Sequence, residues 1–341
     1  MMTDSIHDYL TQLIEGRNLS DDEMTDVMSK IMTGKLTPAQ IAGFMIGMRI
    51  KGETTEEIAA AAQVMREQSQ HVTLTNRQHL IDTCGTGGDS LQTFNVSTLS
   101  AIISAAAGAR VAKHGGRSVS SKCGSADVLE ALGVNVNLTH ESIAALVDKI
   151  GIGFMFAPNY HPAMKYVAPV RKELGIRTFF NLLGPLTNPA NARSQVVGVF
   201  SKQLCTTFAQ ALRTLGSHHV MIVSGADGMD EISITGPTHV AELKNNRVEE
   251  FTIQPDDFNL PVGSIEDIMV ENVEQSKAII MNILHGEHST ARNITLLNAG
   301  AAIYVSGIAQ DLQKGIEKAA MVVDNGQALK KLNELVKESH E

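Results

Sequence analysis

Three stretches between residues 82 and 125 combine the residue types that hold phosphate. Asp82-Thr83-Cys84-Gly85-Thr86-Gly87-Gly88-Asp89 is rich in glycine, which lets successive backbone N–H groups turn toward an anion with no Cβ in the way. Thr93-Phe94-Asn95-Val96-Ser97-Thr98 follows and opens an apolar helix expected over 99–107, so a free helix N-terminus stands close behind the glycine loop. Lys113-His114-Gly115-Gly116-Arg117-Ser118-Val119-Ser120-Ser121-Lys122 adds cations and hydroxyls. Ser125 then precedes a helix expected over 126–132, which Gly133 ends. No acidic residue falls between Asp89 and Asp127, whereas Arg110, Lys113, Arg117 and Lys122 all do. Amides, hydroxyls and cations offered to one region describe a cradle for a small polyanion.

Each piece has a plainer reading. A lone Gly-Thr-Gly-Gly is ordinarily a tight turn, and neither G-x-x-x-x-G-K-[ST] nor G-x-G-x-x-G is satisfied. The hydroxyls serve equally as helix caps, and the cations as a solvated rim. What favours the cradle is order, because all the pieces fall within about two β-α units, and open α/β sheets place ligands at the C-terminal ends of their strands.

Further along, Asp227-Gly228-Met229-Asp230-Glu231 follows a strand expected over 219–223. Carboxylates at a strand end suit a hard divalent cation. Asp227 reads as the turn residue, and Asp230 with Glu231 as the pair that reaches a cation bound to a diphosphate. Solvated turn acids are the ordinary alternative. Arg171 lies one turn before Gly175 in a helix expected over 162–174. It is either a favourable C-terminal cation beside Lys172 or a bidentate partner for a substrate carboxylate. His161 and Lys165 share that neighbourhood, and His114 is either a donor in the basic loop or a satisfied loop histidine. The chain contains no Gly-x-Ser-x-Gly and no His-Glu-x-x-His, so covalent catalysis is not suggested. Displacement of a metal-held phosphate or diphosphate is the chemistry these groups fit.

The elements that must position them change character along the chain. Residues 1 to about 74 read as wholly helical: Ser20-x-x-Glu23, Thr37-Pro38-x-Gln40 and Thr54-x-x-Glu57 are capping boxes, the second with proline at the first helical position. Met24, Met28, Met32, Met45 and Met48 keep helical spacing there, most simply as core filling, with an adaptable subunit interface as the alternative. Beyond His79 strands and helices alternate, with strands expected over 79–81, 109–112, 152–156, 195–200 and 219–223. A hairpin is expected over 238–252, turning at Asn245-Asn246, and helices from about Val273 to the end. The proline-bearing stretch 177–189 interrupts the alternation, as a return to the helical part would. The expected architecture is α/β: a small all-helical N-terminal domain plus a larger domain with a mostly parallel central sheet flanked by helices.

Composition excludes several classes. With 341 residues the chain is long enough for two domains. A formal net charge of −9 argues against bulk nucleic-acid binding. Cys84, Cys123 and Cys205, odd in number and without paired spacing, point to a reducing compartment and no structural zinc. With no apolar leader at the N-terminus and no run of membrane-spanning length, a cytoplasmic protein with no membrane partner is expected.

Taken together, 85–89, 95–98, 113–122, His161-Pro162-Ala163-Met164-Lys165, Val170-Arg171-Lys172-Glu173-Leu174-Gly175, the Phe-Asn-Leu-Leu-Gly-Pro-Leu-Thr-Asn-Pro of 180–189, and Asp230-Glu231 strongly resemble, in order and over essentially the full length, the anthranilate phosphoribosyltransferases. The resemblance implies transfer of the phosphoribosyl group of phosphoribosyl diphosphate to the amine of anthranilate, in tryptophan biosynthesis. It also implies a homodimer associated through the helical domain, residues 1–74 joined by roughly 172–195, with 75–171 and 196–341 forming the α/β domain. By motif match, Gly85, Gly88, Asp89, Thr93, Asn95, Val96, Ser97, Thr98, Lys113, His114, Gly115, Gly116, Arg117, Ser118, Val119, Ser120, Ser121 and Ser125 would contact phosphoribosyl diphosphate. Gly85, Gly116 and Arg171 would face anthranilate. Two Mg²⁺ per subunit are implied, one on Ser97 and Glu231, the other on Asp230 and Glu231, with no residue acting as acid, base or nucleophile. Two departures stand out: the family commonly has Asn where this chain has Gly116, and that Asn amide contacts anthranilate; Cys123 stands where serine is usual. A pyrimidine nucleoside phosphorylase, which shares the implied fold, and a non-catalytic nucleotide-binding relative are the alternative readings.

Overall fold

The computed structural model describes residues 5–87, 91–117 and 123–341. Four helices open it: Ile6–Ile14 (α1), Asp21–Met32 (α2), Pro38–Lys51 (α3) and Thr55–Glu67 (α4). The three capping boxes form as their sequence requires, Ser20, Thr37 and Thr54 each accepting from the backbone N–H three residues on while that residue's side chain returns to the cap N–H. All five methionines named above are buried within this chain, which is the core-filling role.

Seven strands follow: Leu80–Gly85 (β1), Arg110–Gly115 (β2), Ile152–Phe156 (β3), Ser194–Gly198 (β4), His219–Gly225 (β5), Thr238–Lys244 (β6) and Arg247–Ile253 (β7). Their order is β3-β2-β1-β4-β5-β6-β7, with β1 to β5 parallel and β6 and β7 antiparallel. The chain therefore builds outward from β1 in one direction, then returns to place β4 on β1's other side. A crevice opens at such a reversal, because the connections on either side of it leave in opposite directions. The β6–β7 turn uses Asn245 and Asn246 with φ of 52° and 60°, the left-handed pair a two-residue hairpin needs.

One sheet face is covered by Val96–Ala106 (α5) and Ser125–Ala131 (α6), and by the C-terminal helices described below. The other carries His140–Ile150 (α7) over β2 and β3. Ala157–Tyr160 (α8) leads to Ala168–Leu174 (α9) and Phe180–Leu183 (α10), and Lys202–Thr214 (α11) packs on β5 and β6. Val167, Val170, Phe179, Leu183 and Leu186 share one buried cluster with Met28, Met45 and Ile58 of the bundle and with Val197, Phe208 and Ile222 of the sheet side. Val273–Leu284 (α12), Thr290–Val305 (α13), Leu312–Asp324 (α14) and Gln327–Glu338 (α15) complete the fold. Gly300 of α13 and Gly315 of α14 sit at a close helix crossing, where a Cβ on Gly315 would lie 2.2 Å from the Gly300 carbonyl oxygen.

Three elements differ from expectation. The single helix expected over 162–174 is a 3₁₀ turn, Pro162–Tyr166, followed by α9. Pro169, with no N–H to give, is tolerated only in the first turn of a new helix. β1 does not begin at His79, whose φ is 58°, and it runs on through buried Asp82 and Thr83, which pair with Gln195 and Val196. Likewise Lys113, His114 and Gly115 belong to β2, pairing with Phe154 to Phe156, and are not part of a loop. Buried polar residues in a strand break the apolar run by which a strand is recognised.

Candidate active site at the strand reversal

β1, β4 and β5 all end in glycine: Gly85, Gly198 and Gly225. Gly85 and Gly198 are register partners across the reversal. The connection after β5 folds back over these ends so closely that a Cβ on Gly198 would lie 1.5 Å from the Asp230 carbonyl oxygen, and one on Gly85 would lie 2.5 Å from Asp230 Oδ2. Only glycine permits that approach. The carboxylate so seated accepts a hydrogen bond from the Gly87 N–H at 2.7 Å, and Glu231 Oε1 accepts one from the Ser97 N–H at 3.1 Å, in the first turn of α5. Asp230 and Glu231 are thus held over the glycine turn and a helix N-terminus. Asp227 is the turn residue, accepting from the Met229 N–H and from the hydroxyls of Ser233 and Thr235.

Lys113 brings a buried cation to the same place, its Nζ donating to the Thr83 carbonyl and, at 3.2 Å, to Ser97 Oγ. Burial lowers its pKa, opposed by the charges of Asp82, Glu231 and Asp230. Asp82, fully buried, accepts from Asn188 Nδ2 at 2.7 Å and from the His114 N–H at 3.1 Å; burial raises its pKa, against the attraction of Lys113. His114 and His161 stand with ring centres 5.0 Å apart. Burial pushes their pKa values down to about 3 and about 4, so both are neutral near pH 7. Neither Nε2 has a partner among the described residues.

The remaining expected residues fall as follows. Asn95 precedes α5 and ties it to Cys123 and Ser276 through its side-chain amide. Val96 and Thr98 are buried against the core, so what that turn offers a ligand is backbone N–H and the Ser97 hydroxyl. Thr93 is bridged to Met269. Gly115 lies against Ser125 and Phe154, which a Cβ there would meet at 3.3 and 3.1 Å, whereas a Cβ on Gly116 meets nothing within 4 Å. Arg117 is held by two carboxylates of α6, Asp127 at 2.8 Å and Glu130 at 2.6 Å, over the ring of Phe156. Arg171, half-buried on α9, has no carboxylate partner among the described residues, and burial lowers its pKa. Gly88, Asp89, Ser118, Val119, Ser120, Ser121 and Lys122 lie outside the described residues. Arg110 is a correction to the expected cation cluster: it begins β2, at the end of the sheet opposite the carboxylates, and donates to the Gln78 carbonyl.

Among the described residues no group of three or more His, Cys, Asp or Glu is assembled as a metal cluster. The donors that do converge, two carboxylates and the Ser97 hydroxyl, are all hard oxygens. That set fits Mg²⁺ completed by ligand phosphate and water, and does not suit zinc.

Comparison with known proteins gives the family. A family model described as the glycosyl transferase family, a/b domain, matches residues 77–329, and the helical bundle domain of the same family matches 7–69. The anthranilate phosphoribosyltransferase of Methylobacillus flagellatus is 59% identical over 326 residues, 96% of each chain. The chain belongs to the anthranilate phosphoribosyltransferase family. Among solved structures, that family's enzyme from Thermus thermophilus superposes with a TM-score of 0.92 at 38% identity, covering 97% of this chain and 99% of that one. The Saccharomyces cerevisiae enzyme, solved in complex with phosphoribosyl diphosphate and Mg, superposes with a TM-score of 0.90 at 27% identity, covering 100% and 99%; it has also been solved with 4-fluoroanthranilate.

Sequence reasoning passed over Gly198, Gly225, Asn188 and Asn298. A glycine closing each of three neighbouring strands was a readable signal for the first two. Asn188 stood in the 180–189 motif that carries the resemblance, but with no role attached to it, and Asn298 gave no signal, since a single amide in an apolar helix becomes meaningful only when its partner is known.

Proposed function

We propose that the protein transfers the phosphoribosyl group of phosphoribosyl diphosphate to the amine of anthranilate, releasing diphosphate, a step of tryptophan biosynthesis. The observation that carries this reading is the seating of Asp230 and Glu231 over the 85–87 turn and the first turn of α5, at the strand reversal. Those two carboxylates with Ser97 would hold Mg²⁺, two ions per subunit, Glu231 being shared. When bound, Mg²⁺ neutralises the diphosphate and so makes it a better leaving group.

The chain's own groups do the rest. Backbone N–H of the glycine turn and of α5, with the Lys113 ammonium, stabilise negative charge that grows as diphosphate departs. Ribose C1 gains oxocarbenium character, and the anthranilate nitrogen attacks from the opposite face, its proton leaving afterwards. An aryl amine needs no strong base, which agrees with the neutral His114 and His161. Arg171, with no carboxylate partner among the described residues, supplies a guanidinium for the anthranilate carboxylate. Gly85 and Gly116 lie on the anthranilate side, and the other residues of the motif match contact phosphoribosyl diphosphate. Alignment and charge stabilisation account for the rate.

The helical part, 1–74 joined by roughly 172–195, is read as the dimerisation domain. Its outer face exposes Ile14 and Ile50 to 84% and 80%, with Leu10 and Ile46 half-buried beside them. An apolar stripe of that kind suits a second copy of the same surface. No helix among the described residues is long and apolar enough to cross a membrane. All three cysteines are free, in keeping with the cytoplasm.

The test is anthranilate fluorescence with purified protein, phosphoribosyl diphosphate and Mg²⁺, unobscured because the chain has no tryptophan. Loss of signal that requires all three and disappears in Glu231→Ala is expected. A parent protein that leaves anthranilate unchanged but cleaves a pyrimidine nucleoside with phosphate would overturn the reading.

A further inference from the structure

Both carboxylates sit in a connection between strands, and connections are held in place only by what ties them down. On its N-terminal side that tie is Asp227. On its C-terminal side it is Asn298, 2% exposed in the middle of α13. Asn298 Oδ1 accepts from the Ile232 N–H at 2.9 Å, while Asn298 Nδ2 donates to the Ile232 carbonyl at 2.9 Å and to the Ile294 carbonyl at 2.9 Å. One side-chain amide therefore satisfies both backbone groups of the residue that follows Glu231, and uses its last donor to brace itself on its own helix.

Two further facts give this clamp its purpose. Asn298 lines, together with Glu231, Ser97 and Thr83, a cavity of about 10 Å³, so the clamp adjoins the Glu231 carboxylate and the Ser97 hydroxyl. And α13 is a firm support, with thirteen buried residues and the Gly300–Gly315 crossing two residues on from Asn298. Two positions apart on a helix point to nearly opposite sides, so the crossing anchors α13 against α14 while Asn298 faces the connection.

We propose that Asn298 is a positioning residue for the transfer reaction: by clamping the Ile232 peptide it fixes Glu231 and Asp230 at the spacing that captures phosphoribosyl diphosphate with Mg²⁺. It touches neither substrate. The proposal rests on the functional reading above, and leaves the anthranilate side of the site untouched.

The test compares the parent with Asn298→Leu, which keeps the branched outline of the side chain and removes all three hydrogen bonds, and the near-isosteric Asn298→Asp, which keeps the acceptor for the Ile232 N–H but loses both donors. Two measurements are made on each full-length protein: backbone hydrogen exchange without ligand, and calorimetric binding of phosphoribosyl diphosphate with Mg²⁺, with steady-state KM values alongside. Exchange across 226–235 is expected to quicken at least tenfold in the Leu variant, with 219–223 unchanged. Affinity for phosphoribosyl diphosphate should fall about tenfold, partly restored by excess Mg²⁺, with KM for anthranilate within twofold of the parent. Parental exchange at 226–235, or parental affinity in a folded Leu variant, would overturn the clamp. Failure of both variants to fold would overturn it too, the amide then serving the fold and not the site. A parent that binds no phosphoribosyl diphosphate with Mg²⁺ would instead defeat the functional reading, while the exchange measurement still decides whether Asn298 holds the connection.

Discussion

Adding one methyl group beneath the carboxylates should disable the enzyme without unfolding it. In Gly198→Ala the new Cβ would lie 1.5 Å from the Asp230 carbonyl oxygen and 2.3 Å from its carbonyl carbon. Restoring an ordinary contact of 3.4 Å requires the carbonyl to recede by about 1.9 Å. The connection is tied on both sides, by Asp227 and by Asn298 at Ile232, so the displacement concentrates on 229–231. A shift of that size takes Asp230 Oδ2 and Glu231 Oε1, now 2.7 and 3.1 Å from the N–H groups of Gly87 and Ser97, out of hydrogen-bonding range. Misplacement of about 1 Å at a reacting site costs on the order of 10²-fold, so kcat/KM for phosphoribosyl diphosphate should fall by at least about 10²-fold, roughly 2.7 kcal/mol of transition-state stabilisation. Overpacking would cost the fold roughly 1–3 kcal/mol, which a thermal melt registers as a lowered but cooperative transition. Gly236→Ala is the control, because its Cβ meets nothing within 4 Å, and it should keep parental activity. A folded Gly198→Ala protein within threefold of the parental kcat/KM would refute the claim that the carboxylates depend on this close approach.

Other perturbations follow from the same geometry. Gly116→Asn has open space for its side chain and adds a hydrogen-bonding amide; steady-state kinetics should show KM for anthranilate lowered about two- to tenfold, the value of about 0.5–1.5 kcal/mol for one hydrogen bond, with KM for phosphoribosyl diphosphate unchanged. The two buried histidines make stability pH-dependent: their folded pKa values, about 3 and about 4, lie below the unfolded value of 6.5, so the unfolded chain binds more protons between. Their contribution is therefore fully present above about pH 6.5 and is lost as pH falls through that value toward about 4 for His161 and about 3 for His114. Melting temperatures at pH 7.5, 6 and 5 should decline, and less steeply in His114→Asn; equal slopes would show that the imidazole is not buried as described. Ile50→Glu puts a charge in the exposed stripe of α1 and α3, and if that stripe is the proposed dimer surface, light scattering should find the parent dimeric and this variant monomeric.

How legible the protein was depended on whether a feature was local in the chain. The capping boxes, the proline and glycine stops, the hairpin asparagines and the run of phosphate-binding residue types are each satisfied by neighbours a few positions away, and their pattern can be read directly. The strand ends were harder. β1 and β2 extend through Asp82, Thr83, Lys113 and His114, polar residues that tolerate burial only because Asn188, Ser97 and the edges of adjacent strands meet them. Arg110 illustrates the opposite error: it shares a stretch of sequence with Lys113, yet a strand of three further residues carries it to the far end of the sheet.

By itself, then, the sequence determined most of the secondary elements though not all their ends, the chemistry of the groups on offer and, through the ordered motifs, the family and its reaction. Only the tertiary structure decided which of those groups meet. Asp230 and Glu231 lie more than 130 positions from Gly87 and Ser97, and they are joined because the chain reverses its strand order between β1 and β4 and packs a backbone onto glycine there. Contacts of such long separation depend on the register and close packing of several elements at once, which no local pattern encodes.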